Sequence, residues 1–317
     1  MKRFEQIIRF LYLLFLLGIS GEAMGQFDAR FSQYWAVPTY YHAGSVGQGD
    51  KLNIQAAYGM QLMGFERAPR VMFFGVDFPF TLFHKKHGAG IFFFNEGIGL
   101  FRNQKVGLQY AYQWKLKRSH LGIGVQLGML NVSFDPTGVN LGDEAEDPAF
   151  PDTKEQGIGM DLGVSLAYTH PSGYAALSAQ HLTVPSIEIG EKSNVKVNPI
   201  FYLEGGYNIR TRNPLIYIQP SVLMQTDFYA FRMDATARLF YTWRGKKFSA
   251  AVGYSPSTSL TFGLGMQVRS VTVGYAYELF TSKIGVSSGS HDLVVSYAID
   301  MNVFKKSRSL HKSVRLL

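Results

Sequence analysis

Large apolar residues alternate with small or polar residues through most of the chain, from about Leu52 to Phe304. The segment from Val106 to Leu116 is apolar at every second position and carries Gly107, Gln109 and other small or polar residues between them. Successive side chains of a β-strand point to opposite faces, so this period of two makes one face apolar. The small and polar face recurs too regularly for an ordinary solvent-exposed face. The pattern therefore predicts a membrane β-barrel.

The alternation divides into fourteen segments separated by turn residues, an even number as expected for a single-chain bacterial barrel. We therefore predict an all-β fold, an antiparallel transmembrane β-barrel of about 14 strands. The predicted strands cover residues 52–63, 69–83, 88–99, 104–117, 119–134, 157–170, 173–184, 198–211, 214–227, 229–243, 246–256, 258–268, 270–281 and 290–301.

The first residues predict a cleaved signal peptide, residues 1–25. Lys2, Arg3 and Arg9 precede or flank an apolar run, and Ala23-Met24-Gly25 supplies small residues at the cleavage position. The run is too short to span a bilayer of about 30 Å comfortably. We expect the barrel to occupy residues 26–304 and a basic periplasmic tail to occupy residues 305–317.

The connections between the predicted strands fall into two sets. Six short connections, the first at His84–His87, are nearly all basic. The alternate connections include the longest loop, residues 135–156, with seven acidic residues and one lysine. Because outer-membrane barrels have short periplasmic turns and longer outer loops, we predict an outer-membrane protein with periplasmic N- and C-termini.

Charge suggests a contact surface at the periplasmic end. The net charge of +8 could suit nucleic acid, but the periplasm offers none, and a basic rim suits an acidic protein partner or anionic lipid headgroups. The candidate periplasmic partner contacts are Lys85, Lys86, Lys117, Arg118, Arg210, Arg212, Lys246, Lys247, Lys305, Lys306 and Arg308.

Several charged or amide side chains fall on the predicted lumen face. They could select solutes in a pore, or pair with one another in a plugged lumen. Inward Gly, Ala and Ser residues leave room for a folded-in loop or an inserted segment. The pattern leaves both alternatives open. The predicted lumen residues are Lys105, Gln109, Asp161, Arg232, Asp234, Arg238 and Glu278.

No residue has the spacing of a catalytic or metal site, and we expect neither enzymatic activity nor a cofactor. Ser290-His291-Asp292 contains the residue types of a hydrolase triad, but neighbours on a strand point to opposite faces and cannot form a relay. His84, His87 and His120 fall in two predicted turns, where adjacent lysine and arginine residues would repel a cation. The chain has no cysteine, which excludes disulfides and cysteine-rich zinc sites.

Five motifs resemble the PorP/SprF family of outer-membrane proteins from the type IX secretion system of Bacteroidetes. The segment ending in Phe31-Ser32-Gln33-Tyr34 is similar to that family's mature start, and Ser288-Gly289-Ser290-His291-Asp292 is similar to its C-terminal signature. The other three motifs are Ser178-Ala179-Gln180-His181-Leu182, Gly206-Tyr207 with Leu215 and Pro220-Ser221-Val222-Leu223, and Gly274-Tyr275-Ala276-Tyr277-Glu278.

The resemblance implies a role in protein export rather than catalysis. It implies an anchor that couples periplasmic machinery or a secreted substrate to the outer membrane. The implied partners are outer-membrane lipids and a periplasmic ring lipoprotein or peptidoglycan-binding component. For members that serve gliding motility, a secreted adhesin is a further partner. The alternative function is a passive outer-membrane pore for small solutes.

Overall fold

The chain forms a closed antiparallel β-barrel of fourteen strands, in a computed structural model that describes residues 28–136, 154–189, 193–282 and 288–301. The barrel strands are β1 (Lys51–Met60), β2 (Arg70–Leu82), β3 (Lys85–Ile98), β4 (Phe101–Leu116), β5 (Ser119–Phe134), β6 (Glu155–His170), β7 (Gly173–Gln180), β10 (Ile200–Tyr207), β12 (Ile216–Thr226), β13 (Phe231–Trp243), β14 (Lys246–Ser255), β15 (Ser259–Val268), β16 (Val271–Phe280) and β17 (Ser290–Asp300). The remaining strands are the hairpin β8 (Ser186–Ile189) and β9 (Ser193–Lys196) and the short β11 (Ile209–Arg210).

Every barrel strand pairs with two neighbours. Sequence neighbours pair around most of the ring, β10 pairs with both β7 and β12, and β1 pairs with β17 to close it. In the closing pair, Lys51 faces Asp300 and Met60 faces His291. The prediction of a fourteen-stranded antiparallel barrel is confirmed, because each of the fourteen predicted segments overlaps one of these strands.

The outer face of the wall is apolar, as the alternation predicted. Leu108 is 65% exposed and Trp114 is 52% exposed, while Gln109 and Gln113 between them are buried in the lumen. Without bilayer hydrocarbon around it, this belt would be an unusually large exposed apolar surface. No helix within the described residues is long and apolar enough to cross a membrane.

The two ends of the barrel differ. At the short-turn end, two-residue turns such as Phe83-His84 and Arg244-Gly245 join the strands, and all four of these residues have positive φ. Such left-handed residues suit tight hairpins because their twist matches that of the strands. At the opposite, long-connection end lie residues 61–69, 181–189, 193–199, 281–282 and 288–289.

Residues 28–48 lie inside the barrel, and the exposed residues 49–50 lead out to β1; we call residues 28–50 the lumen segment. It starts among wall residues near the long-connection end and leads to β1 at the short-turn end. Its helical elements are short: the 3-10 turns Tyr34–Ala36 and Ala43–Ser45 and the α-helix Pro38–Tyr41. Phe31, Tyr34 and Tyr41 are almost completely buried.

The hairpin β8–β9 folds against the lumen side of β5 and β6. Ile187 is buried with Leu130 and Val132, and Val195 packs against the same cluster. Two glycines of β6 make room for it, since a β-carbon at Gly157 would overlap Glu188 and one at Gly159 would lie 2.8 Å from Pro185. The hairpin therefore narrows the lumen at the long-connection end.

Candidate functional site

Eight of the eleven candidate contact residues lie together at the short-turn end; we call these eight the basic rim. The remaining three, Lys305, Lys306 and Arg308, lie outside the described residues, as do both chain termini. Six residues of the rim are exposed, and Lys86 and Lys247 are half-buried. The rim consists of Lys85, Lys86, Lys117, Arg118, Arg210, Arg212, Lys246 and Lys247.

Some rim charges have partners within the chain. Lys86 Nζ lies 2.7 Å from Asp50 Oδ1 and donates to the carbonyl of Gln48 at 3.1 Å. The hydrogen bond and charge of Lys86 lower the pKa of Asp50. The ammonium of Lys247 lies 5.6 Å from the ring centroid of Tyr217. These residues are thus held in place rather than freely solvated.

Three rim arginines line adjoining depressions at the base of β6, β7, β10 and β12. Arg118 and Arg210 share a cavity of about 480 Å³ with His170 and Asn208. Arg210 also lines a neighbouring cavity of about 550 Å³ with Arg212. The structure therefore gathers residues that lie 92 and 94 positions apart into one basic surface, which suits carboxylates or phosphates.

Glutamines of the wall satisfy the irregular backbone of the lumen segment. Gln113 Nε2 donates to the carbonyls of Gly44 and Val46 at 2.9 and 2.8 Å. Gln109 Nε2 donates to Thr39 O at 2.7 Å, and Gln180 Nε2 donates to Tyr40 O at 3.0 Å. Non-helical backbone at membrane depth needs such partners because no lipid can supply them. The inward glutamines of the alternating pattern are therefore anchors for the lumen segment.

A first cluster of charges holds the lumen segment near the long-connection end. Arg30 forms ion pairs with Glu278 and, at 3.6 Å, with Asp234. Arg232 lies 3.2 Å from the same Asp234 carboxylate. The backbone N–H of Ser32 donates to Asp292. Charged groups buried this deeply are stable only when they are paired.

A second charged cluster forms on the opposite wall. His181 Nε2 lies 3.0 Å from Asp28 Oδ2, and His181 Nδ1 lies 3.1 Å from Asp161 Oδ1. Lys105 pairs with Asp161 and lies 3.4 Å from Gln180 Oε1. Asp28, the first described residue, is therefore joined directly to His181 at the end of β7 and, through His181, to Asp161 of β6 and Lys105 of β4.

Glycines permit close contact at the short-turn end. A β-carbon at Gly122 or Gly124 would overlap the backbone of Gly44, and one at Gly88 would overlap Val46. These glycines stand on β5 and β3 and face the lumen. Only a residue without a side chain lets the two backbones approach this closely.

The predicted lumen face is confirmed for the described wall. Six of the seven predicted side chains, including Lys105, Asp161 and Glu278, are buried, and Arg232 is partly buried. Arg238 stacks over the ring of Trp35 in the lumen segment, 4.7 Å from its centroid. These charges therefore face protein rather than an open aqueous channel.

Two histidine predictions have different outcomes. In Ser290-His291-Asp292, Ser290 and Asp292 are buried toward the lumen, while His291 points outward and contacts Tyr275 Oη at 2.7 Å, as the strand geometry predicted. His87 is not in a turn, because the turn closes at Phe83-His84 and β3 already begins at Lys85. Its ring is buried and lies 2.7 Å from Tyr110 Oη.

A model of the family described as type IX secretion system membrane protein PorP/SprF matches residues 23–297. The chain belongs to this family. The match covers nearly all of the described barrel together with the lumen segment. With the barrel fold, this membership identifies an outer-membrane protein of type IX secretion.

Solved structures of other barrels are similar in fold. The CymD monoaromatic hydrocarbon channel has a TM-score of 0.51 and 11% identity, covering 88% of this chain and 96% of that chain. The P. putida toluene transporter TodX has a TM-score of 0.47 and 10% identity, covering 82% and 92%. At this identity the likeness to CymD shows the barrel fold alone. No curated protein sequence matches the chain at a significant level.

The motifs by which the chain resembles PorP/SprF proteins converge on the lumen segment. Ser178 Oγ donates to Tyr41 O at 2.7 Å, and the hydroxyls of Ser221 and Tyr34 lie 2.8 Å apart. Glu278 binds Arg30, and Asp292 accepts from Ser32. Motifs far apart in the sequence thus meet around the N-terminal motif, a convergence that sequence alone did not show.

Proposed function

We propose that this PorP/SprF protein is a closed outer-membrane adaptor that couples periplasmic secretion machinery, or a secreted substrate, to the membrane. It acts by assembly rather than by catalysis or solute conduction. The lumen segment packed inside the barrel is the observation that carries the proposal. The barrel then contributes to secretion by binding partner proteins at a surface of fixed shape.

The packed lumen segment favours an adaptor over the alternative, a passive pore. A pore needs a continuous aqueous path lined by solvated groups. Here the lumen segment crosses from one charged cluster to Gly88, Gly122 and Gly124, which we call the glycine seat, and aromatic rings fill the middle. Tyr40 lies 5.5 Å from Phe31 and 5.4 Å from Phe73 between ring centroids.

The basic rim is the surface that we assign to the periplasmic partner. Its charges lie on short turns and strand ends, so that their positions are set by the barrel rather than by a long loop. An acidic face of a ring lipoprotein, or of a peptidoglycan-binding protein, would complement it. This assignment places the short-turn end in the periplasm.

Charge reversal tests the assignment. Lys85, Lys86, Lys246 and Lys247 are replaced by glutamate, and the tagged protein is purified gently from its native outer membrane. The matched control reverses four exposed basic residues at the other end: Arg70, Arg102, Lys154 and Lys196. We expect periplasmic partners and secretion to be lost in the rim variant and retained in the control.

Retention of both partner binding and secretion in the rim variant would contradict the proposal. A third sample lacking residues 305–317 separates the tail from the rim. Loss of partners only in that sample would move the contact to the tail.

The orientation of the barrel in the membrane has its own test. Because the chain has no cysteine, each introduced cysteine is its one reactive thiol. Glu66→Cys places a thiol at the long-connection end, and Arg118→Cys places one at the short-turn end; both positions are exposed. A membrane-impermeant maleimide added to intact cells should label Cys at position 66 and not at position 118. The reverse pattern would contradict the assigned orientation.

A further inference from the structure

A cavity of about 370 Å³ lies inside the barrel near the long-connection end. It separates two hydrophobic clusters. On one side Phe94 stacks on Tyr40 of the lumen segment, with centroids 5.4 Å apart. On the other side Leu130 and Val132 pack with Ile187 of the β8–β9 hairpin. Side chains pack against one another within each cluster, and the cavity is the space between the two clusters.

The wall around this cavity breaks the polar pattern of the lumen. Phe92, Phe94, Leu130 and Val132 face inward and are at most 6% exposed. Toward the short-turn end, the neighbouring inward positions are instead Gly88 and Gly90 on β3 and Gly122, Gly124, Gln126 and Gly128 on β5. Protein interiors are normally close-packed, and apolar side chains around a void lose contacts that a ligand would restore. The volume lies within the range of small-molecule sites.

The polar floor of the cavity has balanced charges. Both ring nitrogens of His181 face carboxylates, Asp28 and Asp161, which is the arrangement of a doubly protonated imidazole. Lys105 pairs with Asp161. Two positive and two negative groups therefore neutralise one another. No net positive charge is left to hold an anionic head group.

The rim of the cavity adds a further restriction. The Glu96 carboxylate lines it and accepts a hydrogen bond from Asn103 Nδ2 at 2.9 Å. A carboxylate there repels an anionic ligand. Asn103 and Glu96 can still donate to or accept from an uncharged polar group.

We propose that this cavity binds a small uncharged amphiphile, whose apolar body lies between Phe94 and Leu130 and whose hydrogen-bonding end meets the polar floor or rim. The site is separate from the basic rim at the other end of the barrel. It does not depend on the adaptor role.

N-phenyl-1-naphthylamine suits a direct test, because it is uncharged, apolar, carries one N–H donor and fluoresces in apolar surroundings. It is titrated into the full-length protein in lipid nanodiscs, with empty nanodiscs subtracted. We compare Leu130→Trp, which fills the cavity, with Leu127→Trp on the same strand, which faces outward and is 55% exposed. Heat-modifiable gel migration confirms that each barrel is folded.

We expect saturable binding of one probe per barrel, unchanged in Leu127→Trp and weakened at least tenfold in Leu130→Trp. Val132→Phe, a smaller filling change, serves if Leu130→Trp does not fold. Dodecanol should displace the probe at concentrations at least tenfold lower than dodecanoate or dodecylamine. That order would support the uncharged head group.

Three results would overturn the proposal. Binding that never saturates, or that is equal in Leu127→Trp and Leu130→Trp, would place the probe in lipid or on the outer face. Preferential displacement by dodecanoate or dodecylamine would contradict the uncharged head group. Binding that appears only after Phe27→Ala would mean that the chain's own residue fills the cavity.

Discussion

The two ends of the lumen segment are held by different physical interactions. Near the long-connection end, Asp28 and Arg30 enter clusters of buried charges, with Arg30 between Asp234 and Glu278. At the short-turn end, Gly44 and Val46 lie directly against glycines of the wall, and Gln113 donates to their carbonyls. One end depends on charge pairing, and the other depends on close backbone contact.

The difference teaches how each end can fail. A buried ion pair that loses one partner leaves an uncompensated charge. A close backbone contact has no charge to lose, but a single methyl group excludes it. Substitutions at the charged end should therefore destabilise the protein by removing a charge, and substitutions at the glycine seat should destabilise it by adding a side chain.

Arg30→Met should have the largest effect. It removes their shared partner from the buried carboxylates of Asp234 and Glu278, which keep Arg232 at 3.2 and 3.8 Å. We expect the free energy of unfolding to fall by about 3 kcal/mol, measured by denaturant titration of the refolded barrel. Arg70→Met is the control, since Arg70 is exposed at the same end, and it should change the free energy by less than about 0.5 kcal/mol. Equal effects would contradict the charged attachment.

A pair of alanine substitutions on β5 tests the glycine seat. Gly124→Ala would overlap the backbone of Ala43 and Gly44, whereas a β-carbon at Gly128, on the same face, would meet Val106 O at 3.2 Å. We expect Gly124→Ala to lower the free energy of unfolding by about 2 kcal/mol and to expose the lumen segment to protease. Gly128→Ala should be milder in both measurements. A reversed order would mean that the seat does not hold the segment.

Gln113→Leu sharpens the comparison at the same end without adding bulk. It removes the donor to Gly44 O and Val46 O, and leaving buried carbonyls unpaired costs about 1–2 kcal/mol. Gln104→Leu is the control, because Gln104 donates to the side chain of Asn95 on the neighbouring strand. Hydrogen exchange at residues 44–48 should quicken in Gln113→Leu alone. Unchanged exchange would show that this side chain is dispensable.

The basic rim should contribute least to stability. Replacing Lys246 and Lys247 by alanine removes surface charges and a cation–π contact to Tyr217, worth about 0.5–1 kcal/mol. We expect a small change in unfolding free energy together with weaker partner binding in pull-down. A large loss of stability with partner binding retained would give the rim a structural role instead.

Strand periodicity was sufficient to predict the wall. Each strand has an apolar face against lipid, so that positions such as Leu260, Phe262 and Leu264 in β15 repeat with the period of the strand itself. Tight turns of known geometry then set the boundaries. The predicted boundary at His87 was wrong, because a two-residue turn with positive φ at Phe83 and His84 is rarely formed by such bulky residues.

The lumen segment could not be predicted in the same way. Its short turns have no period, and its conformation is set by contacts such as Tyr34 with Ser221 that join residues 187 positions apart. The inward small residues indicated only that space was present. The β8–β9 hairpin was missed for a similar reason, because four-residue strands such as Ser186–Ile189 are too short to show alternation.

Ion conductance of the full-length protein in planar bilayers tests the closed-adaptor proposal most directly. We predict no steady conductance from the native protein over the voltage range that the bilayer tolerates. Arg30→Met and Gly124→Ala should each produce openings, since they release opposite ends of the lumen segment. Steady ohmic conductance from the native protein, equal to that of both variants, would show that the segment does not close the barrel and would favour the passive pore.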